Sequence, residues 1–518
     1  MNGAQALIRT LVDAGVDVCF MNPGTSEMHF VAALDDVPEM HGVLALFEGV
    51  ATGAADGYAR MADKPAATLL HLGPGLGNGL ANLHNARKGH TAVVNIVGDH
   101  ATYHKPFDAQ LESDIETVAR NVSAWIRTSA KSDELAADAA EAVAVAAGTP
   151  AQVATLILPA DVSWTEGAEP APPMSPNAAA VVDASVIAAV AEVLRGDEPA
   201  ALFIGGRACR ADALVDASRI VNTTGSKLLA ETFPARLERG AGRVPVDRLA
   251  YLAEFAAMQL DGLRHLIVVD TKAPVSFFAY PGKASDLVPE GCTVHVLGTA
   301  EHDVAGALAA LAEAVEAPAD AATIQVEVRP ELPVGALTAE AICTILGALM
   351  PEGAIVSDEG NTSGLFAAGF TAGAPAHDWL TLTGGAIGQG LPAALGAAVA
   401  CPDRRVIALE SDGSALYTLQ AWWTMARERL DVVTIVFNNS SYAVLNMELQ
   451  RVGATTVGDK ARDMLDLTRP DLDFVALATG MGVPATRATT SEEFVDQLRA
   501  ALAADGPSVI EAVVPSII

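Results

Sequence analysis

The stretch "LESDGSALYTLQAWWTMARERLDVVTIVFNNSSY", residues 409–442, decides the fold. Its two ends belong to short β-branched runs, "RVIALE" and "VVTIVF", which are typical of buried strands. Between them, "ALYTLQAWWTMARERL" has apolar residues at helical spacing. A strand, a helix and a second strand of this length predict a βαβ unit, whose strands are parallel. Asp412 and Asn439 then follow the carboxyl ends of the two strands, at the sheet edge where open α/β folds bind ligands.

The residues at this edge have the chemistry of a metal and phosphate site. The side chains of Asp412 and Asn439 are hard oxygen donors, as Mg²⁺ or Ca²⁺ prefers. Gly413 and Ser414 begin the predicted helix, whose free N–H groups favour an anion such as phosphate. The same residues are also ordinary turn formers. This segment alone therefore leaves a ligand site and a pair of plain turns open.

The rest of the chain repeats the same alternation of short apolar strands and helical stretches. Two proline- and alanine-rich segments, 165–180 and 316–335, read as extended linkers. They divide the chain into residues 1–164, 181–316 and 335–518. We predict an α/β protein with three doubly wound parallel-sheet domains.

Composition excludes several classes of protein. The 518 residues carry a formal net charge of −31, which argues against nucleic acid or an anionic membrane surface as partner. No apolar run reaches the roughly 18–20 residues that span a bilayer. The N-terminus lacks the pattern of a signal peptide. Five cysteines without a CxxC pair indicate buried thiols in a reducing compartment, so we expect a cytoplasmic protein.

Two glycine-rich segments carry further candidate site residues. "LALFEGVATGAADGYARM", residues 44–61, places Glu48 among apolar neighbours where a strand ends and a helix begins. A partly desolvated carboxyl in such a place is a site candidate, although a glutamate there also suits the positive end of a helix dipole. "TLTGGAIGQGLPAALGAA", residues 381–398, crowds glycines around Ile387. The glycines permit close approach of a ligand to the backbone, and Ile387 is a rigid apolar side chain.

Together these segments resemble the signature of thiamin diphosphate enzymes. "SDGS…NNSSY" is similar to their metal and diphosphate motif, with Ser411 in place of the usual glycine. "FEGVATGAADGYAR" resembles their catalytic-glutamate helix, and "GGAIGQGLPAALGA" resembles their cofactor-bending loop. The resemblance covers nearly the whole chain and is to the acetolactate synthase, benzoylformate decarboxylase and pyruvate decarboxylase group. It implies a pyrimidine-binding domain, a central domain and a diphosphate-binding domain, in that order.

The resemblance also implies which groups hold Mg²⁺ and the diphosphate. The metal ligands would be the side chains of Asp412 and Asn439 and the backbone carbonyl of Ser441. The groups that hydrogen-bond the diphosphate would be those of Gly413, Ser414, Asn361 and Thr362.

The remaining motif residues are implied to hold the cofactor rings. Ile387 would wedge between the two rings, and the Gly385 carbonyl would accept a hydrogen bond from the exocyclic amine. Glu48 would be the catalytic glutamate that bonds the pyrimidine nitrogen. In this family Glu48 comes from one subunit and Asp412 from its partner, so the resemblance implies a homodimer or homotetramer.

Two subfamilies compete for the reaction, and the first is benzoylformate decarboxylase. "CFMNPGTSEMHF" and "TLLHLGPGLGNGLANL" resemble it, with Thr25 at the position of a substrate-binding serine and His71 at the position of a catalytic histidine. His71 would relay protons, or else it only caps a loop. The matching central segment, "KAPVSFFAYPG", contains no second histidine. Val444 and Met447, on the helix after the asparagines, are expected to face the substrate.

The second subfamily is acetolactate synthase. "HLGPGLGN" and "DAQLESD" resemble its motifs, although Gln110-Leu111 replaces the pair that contacts the cofactor and the second substrate there. The central domain lacks the long glycine- and arginine-bearing segments with which synthases hold FAD, so FAD is not expected.

We predict an acetolactate synthase-like enzyme that decarboxylates a 2-oxo acid, with or without ligation of the acyl fragment to an acceptor. The alternative is a decarboxylase that releases an aldehyde. A non-catalytic homologue is disfavoured because Glu48, Asp412 and Asn439 are all present.

Overall fold

The computed structural model describes residues 1–454 and 457–516, which form three β-sheets. The strands of the first sheet are β1 Val18–Asn22, β2 His41–Leu44, β3 Ala66–Leu70, β4 Val93–Asp99, β5 Trp125–Thr128 and β6 Val153–Pro159. They are all parallel and lie in the order β2-β1-β3-β4-β6-β5. β3, β4 and β6 are buried along their whole length, which explains their unbroken apolar sequences. The helices of this part are α1 Gly3–Asp13, α2 Met28–Ala33, α3 Glu48–Ala62, α4 Leu72–Lys88, α5 Ile115–Ala119, α6 Ser132–Ala146 and α7 Ala160–Trp164.

The central part of the chain forms the second sheet. The strands of this part of the chain are β7 Ala200–Ile204, β8 Lys227–Ala230, β9 Leu237–Arg239, β10 Asp247–Arg248, β11 His265–Val269 and β12 Thr293–Gly298. Five of them are parallel and lie in the order β10-β8-β7-β11-β12, while β9 leaves this sheet. The helices are α8 Ala184–Leu194, α9 Ala211–Thr224, α10 Ala253–Leu260 and α11 Val304–Ala314.

The third sheet contains the strand–helix–strand stretch of residues 409–442. Its own strands are β13 Ile355–Glu359, β14 His377–Thr381, β15 Val406–Ser411, β16 Val432–Asn438, β17 Ala485–Ala488 and β18 Ser508–Val513. The order is β17-β18-β16-β15-β13-β14-β9, and β9 pairs antiparallel with β14 as an edge strand. The helices are α12 Ala339–Leu349, α13 Ala367–Phe370, α14 Gly390–Ala400, α15 Asp412–Thr418, α16 Ala421–Glu428, α17 Ala443–Arg451, α18 Asp459–Asp463, α19 Phe474–Gly480 and α20 Ser491–Ala503. Short 3₁₀ helices occur at Thr25–Glu27, Leu34–Asp36, Lys105–Phe107, Gly206–Cys209 and Ser363–Phe366.

Helix α3 of the first part packs directly on helix α14 of the third part. Glycines make this close approach possible, since a Cβ on Gly57 would lie 2.1 Å from the Ala393 carbonyl oxygen. In the same contact, a Cβ on Gly396 would lie 1.9 Å from the Ala54 carbonyl oxygen. The helix that begins at Glu48 and the helix that follows the Ile387 loop are therefore held together backbone to backbone.

The structure and the similar proteins reported below confirm the prediction of three parallel-sheet α/β domains, but some details were wrong. The predicted helix "ALYTLQAWWTMARERL" is two helices, α15 and α16. They separate just after Thr418, whose hydroxyl donates to the Gly388 carbonyl over 3.0 Å. Strands β5, β9, β10 and β17 escaped prediction because they are short and largely not buried, so no continuous apolar run marks them.

The two proline-rich segments are irregular and lie along their neighbours. Ala171 N–H donates to Thr10 Oγ1 over 3.0 Å, and Val328 N–H donates to the Gly373 carbonyl over 2.9 Å. The domain limits drawn at these segments stay a prediction. Among the described residues, none of the helices has both the length and the apolar character that crossing a bilayer requires.

Candidate active site

The carboxyl ends of β15 and β16 bring Asp412 and Asn439 together. The two strands are parallel neighbours, with Ser411 paired with Phe437. Asp412 is only 2% exposed. Its Oδ2 accepts a hydrogen bond from the Asn439 N–H over 3.0 Å, and its Oδ1 accepts one from the Gly413 N–H over 2.8 Å. The predicted meeting of these two residues at one sheet edge is therefore found in the structure.

Asp412 is a buried carboxylate without a counterion. No lysine, arginine or histidine in residues 1–454 and 457–516 lies within ion-pair distance of it. Burial raises the pKa of Asp412 above its ordinary value, although backbone N–H groups work against this shift. A buried charge that lacks a partner is costly, and a bound cation would neutralise it.

The oxygen atoms around Asp412 suit a hard divalent cation. Asn439 Oδ1 accepts the Ser441 N–H over 3.0 Å, so the turn after β16 folds back on itself beside Asp412. Within the described chain, no group of three or more His, Cys, Asp or Glu side chains is arranged to hold a metal. The available donors are one carboxylate, one amide and backbone carbonyls, which fit Mg²⁺ better than a softer metal.

The residues predicted to bond the diphosphate surround the same edge. Asn361 follows β13 with φ +46°, and its Nδ2 donates to Ser411 Oγ over 3.0 Å. Ser414 is 2% exposed, and its Oγ donates to Glu410 Oε2 over 3.1 Å. Thr362 is half-buried and precedes the 3₁₀ helix Ser363–Phe366. Ser411, which replaces the glycine usual in the motif, does not disrupt this edge. Its hydroxyl accepts a hydrogen bond from Asn361 and donates one to the Glu359 carbonyl, so it links the ends of β13 and β15.

The loop that carries Gly385 and Ile387 is held by hydrogen bonds to helix α4 on one side and to Glu359, at the end of β13, on the other. On the side of helix α4, Asn85 Nδ2 donates to the Ala386 carbonyl over 2.8 Å, and Asn82 Nδ2 donates to the Gly388 carbonyl over 3.1 Å. Gly385 has φ +72°, a conformation that favours glycine. Ile387 itself is half-buried, so this clamp fixes an apolar side chain that still reaches the surface of the site.

Two buried acids lie behind this loop, and the sequence analysis missed both. Glu359 is 2% exposed, and its two oxygens accept the N–H groups of Gly388 and Gly390 over 2.7 and 2.6 Å. Burial raises the pKa of Glu359 to about 7 and that of the neighbouring Glu410 well above its ordinary value. An acid in the last two positions of a buried strand that begins with apolar residues was the available signal, at β13 and again at β15.

Glu48 begins helix α3 and is 8% exposed. Its Oε2 accepts a hydrogen bond from Asn78 Nδ2 of helix α4 over 3.0 Å. Gly75 lies close to it as well, since a Cβ there would be 3.1 Å from Glu48 Oε1. Asn78, which the sequence analysis did not single out, therefore orients this carboxyl.

His71 pairs with another buried acid, Glu27, which the sequence analysis also missed. His71 Nδ1 lies 2.7 Å from Glu27 Oε2, and the imidazole makes no capping bond to helix α4. Glu27 is 0% exposed, and burial raises its pKa although His71 opposes this shift. A Cβ on Gly24 would lie 2.3 Å from His71 Nδ1, so the loop before Thr25 packs on the ring. Thr25 itself is exposed beside this pair.

The structure therefore brings the predicted residues together in two groups. One group contains Glu48 and His71 at the edge of the first sheet. The other contains Asp412, Asn439 and the Gly385 loop at the edge of the third. No hydrogen bond or ion pair within the described ranges, 1–454 and 457–516, joins a member of the first group to Asp412, Asn439 or Gly385.

Helix α17 carries the two residues expected to face the substrate. Val444 and Met447 are both half-buried on it. Glu448, on the same helix, faces the central part of the chain and lies 3.6 Å from Arg451. Arg451 in turn stacks over the ring of Tyr280, 4.4 Å from its centroid. Glu448 thus lies within ion-pair distance of a cation on its own helix, which also pairs with Glu254 at 3.0 Å.

The central sheet has a glycine turn where a dinucleotide cofactor such as FAD would place its diphosphate. This turn follows β7, which lies between β8 and β11 at the point where the strand order reverses. Its N–H groups are already used, because Gly206 donates to Glu231 Oε1 over 3.1 Å and Arg207 donates to Asp270 Oδ2 over 2.7 Å. Gly206 and Arg207 therefore have no free N–H group for a diphosphate, so these residues do not fit FAD held at this turn.

Comparisons with known proteins point to one family. The chain matches "Thiamine pyrophosphate enzyme, N-terminal TPP binding domain" over residues 1–119 and "Thiamine pyrophosphate enzyme, C-terminal TPP binding domain" over residues 358–512. It is 61% identical, over 100% of both chains, to the Mycobacterium tuberculosis protein named "Putative acetolactate synthase large subunit IlvX". It is 30% identical to benzoylformate decarboxylase of Pseudomonas aeruginosa over 96% of each chain. A solved structure of 4-hydroxybenzoylformate decarboxylase from Rhodococcus jostii RHA1 has the same fold, with a TM-score of 0.87 and 24% identity over 99% of each chain.

The chain belongs to the thiamine pyrophosphate (thiamin diphosphate) enzyme family, because relatives align with it over its full length and both cofactor-binding domains match. It is an enzyme of the acetolactate synthase and benzoylformate decarboxylase type. The resemblance seen in the sequence motifs is thereby confirmed.

Proposed function

We propose that the chain uses thiamin diphosphate and Mg²⁺ to decarboxylate a 2-oxo acid, with or without ligation of the acyl fragment to an acceptor. The observation that carries this proposal is Asp412, a buried carboxylate without a counterion beside Asn439. A divalent cation bound to these oxygen atoms would neutralise the buried charge of Asp412. The relatives named as acetolactate synthase and benzoylformate decarboxylase support a 2-oxo acid as the substrate.

The residues around Asp412 would hold the diphosphate end of the cofactor. In this proposal the metal is held by Asp412, Asn439 and the Ser441 carbonyl, and the diphosphate by Gly413, Ser414, Asn361 and Thr362. Their place at the carboxyl edge of a parallel sheet suits an anion and its metal. The bound cofactor supplies an electron sink for the loss of carbon dioxide.

The remaining residues orient the reacting groups. Ile387, whose loop is held by Asn82 and Asn85, would contact the cofactor rings, and the Gly385 carbonyl would accept a hydrogen bond from the ring amine. Glu48 would hold and move a proton at the pyrimidine nitrogen, with its carboxyl oriented by Asn78. Thr25, Val444 and Met447 line the substrate side.

Two copies of the chain complete each site in this proposal. Among the described residues no hydrogen bond or ion pair joins Glu48 to Asp412, and in this proposal the Glu48 that serves each Asp412 comes from a partner copy. The expected assembly is a homodimer or a homotetramer.

FAD has no role in this proposal, because Glu231 and Asp270 already accept the N–H groups of the glycine turn. The expected location is the cytoplasm.

One observation favours the alternative, simple release of an aldehyde. His71 Nδ1 lies 2.7 Å from Oε2 of the buried Glu27, and this contact fixes the direction in which the other ring nitrogen, Nε2, points. A histidine held in this way is suited to deliver the proton that an aldehyde product needs. Ligation, in contrast, requires that this proton be withheld until the acceptor arrives.

Product analysis separates the two outcomes. The purified chain, supplied with thiamin diphosphate and Mg²⁺, is given pyruvate and benzoylformate separately, and carbon dioxide and organic products are identified by mass. Acetolactate from pyruvate supports ligation. Acetaldehyde or benzaldehyde alone supports the aldehyde-releasing alternative. Absence of carbon dioxide from these and other 2-oxo acids, with cofactor bound, would refute the proposed function.

A further inference from the structure

Four aromatic side chains of the central part gather where it meets the third sheet. The Phe277 ring centroid lies 5.2 Å from that of Tyr251, 5.7 Å from that of Phe233 and 5.1 Å from that of Phe278. These distances suit edge-to-face and tilted ring contacts. We call Phe233, Tyr251, Phe277 and Phe278 the aromatic wall.

The aromatic wall is attached to the loop that carries Gly385 and Ile387. A Cβ on Gly385 would lie 2.7 Å from the Phe277 ring, so this ring rests on the glycine backbone. Beside it, Thr381 Oγ1 donates to the carbonyl of Pro234, the neighbour of Phe233, over 2.8 Å. The Phe277 end of the aromatic wall is therefore fixed against the Gly385 loop, beside which we propose that the cofactor rings bind.

The other end of the wall approaches helix α17. Tyr251 lies near Glu448, which adds to burial in raising the pKa of Tyr251 to about 12. Lys283 and Arg451 both pair with Glu254 of helix α10 and brace the same junction. The wall thus spans the space between the Gly385 loop and the helix that bears Val444 and Met447.

Two rings of the wall remain accessible although they are apolar. Phe277 is 43% exposed and Phe278 is 52% exposed. Aromatic residues make up only 5% of this chain, so four adjacent rings are a concentrated apolar surface. Exposed surface of this kind marks a place where a ligand or a partner binds.

We propose that the aromatic wall binds the side group of the 2-oxo acid, and that this group is an aryl ring or an apolar group of similar size. This inference rests on the proposed function, because it requires that the cofactor rings bind against the Gly385 loop. Phe277 packs on the Gly385 backbone and Phe278 packs on Phe277, so a substrate bound beside that loop has both rings within reach of its side group. An aryl group there gains offset or edge contacts with both rings, whereas the methyl group of pyruvate is too small to cover them.

Binding of non-reactive analogues tests the inference without turnover. The enzyme loaded with thiamin diphosphate and Mg²⁺ is titrated calorimetrically with mandelate and with lactate, which carry a hydroxyl group in place of the reacting carbonyl oxygen. Mandelate should bind at least about tenfold more tightly than lactate. Phe277→Ala should remove most of this preference, and Phe277→Leu, which keeps apolar bulk without the ring, should remove part of it. Phe255→Ala, at a 55% exposed ring outside the wall, is the matched control.

The outcomes separate this inference from the function on which it rests. Equal binding of mandelate and lactate, or an unchanged preference in both Phe277 variants, would overturn the inference even if the enzyme releases carbon dioxide. Selective mandelate binding that depends on Phe277, without turnover of any 2-oxo acid, would keep the subsite and reject the function. A change in sedimentation of Phe277→Ala with unchanged mandelate binding would assign the wall to a subunit interface and overturn the inference.

Discussion

The carboxylate of Asp412 accepts a hydrogen bond from the backbone N–H of Asn439 over 3.0 Å, although 27 positions separate the two residues. The contact exists because β15 and β16 are adjacent parallel strands that end at the same edge. The strand–helix–strand unit thus closes on itself at the place where ligands bind in this class of sheet. Asp412, buried and without a counterion, is the residue on which the metal proposal depends.

Replacing Asp412 by asparagine should weaken metal-dependent cofactor binding. Asp412→Asn keeps an oxygen that can accept the Asn439 N–H, so the strand ends should stay together. The charge that a divalent cation would neutralise is lost, and we expect the affinity for thiamin diphosphate in Mg²⁺ to fall by about tenfold or more. Calorimetric titration with thiamin diphosphate, in Mg²⁺ and in a chelator, measures this change.

Asp459→Asn is the control for this experiment, because the side chain of Asp459 is 99% exposed. It should bind the cofactor as the parent does. An Asp412→Asn enzyme with the parent's affinity and the parent's dependence on Mg²⁺ would remove Asp412 from the metal site.

Glu48→Gln should separate cofactor binding from catalysis. The glutamine oxygen can still accept the hydrogen bond that Asn78 donates to Glu48 over 3.0 Å, so local structure should persist. The proton that Glu48 would exchange with the cofactor ring in the proposed function is lost, and we expect turnover to fall by roughly 10²–10⁴. The affinity for thiamin diphosphate should change by less than about tenfold.

Carbon dioxide release and calorimetric titration measure the two quantities for Glu48→Gln. Glu166→Gln, at a side chain that is 79% exposed, is the matched control and should leave both unchanged. Turnover of Glu48→Gln within a factor of two of the parent would contradict a catalytic role.

The Glu27–His71 pair should behave as one functional unit. If Glu27 acts by holding His71 at 2.7 Å, each of Glu27→Gln and His71→Ala should lower aldehyde release by about tenfold to a hundredfold. The double variant should be little worse than His71→Ala, because neither residue contributes without the other. A coupled assay for the aldehyde measures all four enzymes. A double variant whose loss equals the product of the single losses would mean that the two residues act independently.

Glu231 should make the stability of the protein depend on pH. Burial raises the pKa of Glu231 to about 7 in the folded protein, from an ordinary value of 4.5. The folded state therefore binds this proton more tightly than the unfolded state does, and its stabilising effect is complete below the ordinary value. As pH rises through about 7 that effect is lost, so the free energy of unfolding should fall by at most roughly 3 kcal/mol.

Urea unfolding at pH 5 and pH 8 measures this dependence. Glu231→Gln keeps an acceptor for the Gly206 N–H and carries no charge, so the fall between the two pH values should be smaller than in the parent. Glu301→Gln, at an exposed residue of the same part of the chain, should keep the parent's fall. An unchanged fall in Glu231→Gln would show that this carboxyl titrates normally.

Local patterns were sufficient for the βαβ unit and for most strands. "RVIALE" and "VVTIVF" could be recognised because a strand buried on both faces has a continuous apolar sequence. Strand β9 could not, since Leu237–Arg239 pairs antiparallel with His377–Trp379 of another part of the chain. The break between helices α15 and α16 after Thr418 could not be predicted either. It accompanies a hydrogen bond from Thr418 to Gly388, a distant residue that the spacing of apolar residues in the helix does not reveal.

The sequence by itself determined where the residues of the candidate site stand: Asp412 and Asn439 at neighbouring strand ends, Glu48 at a helix start and Ile387 among glycines. These follow from residue type and short-range spacing, which secondary structure translates directly into position. Only the tertiary structure decided that Glu27 holds His71 and that Phe277 rests on Gly385. Both contacts join loops from different strand ends, and their geometry depends on how sheets and domains pack, which no local period in a sequence encodes.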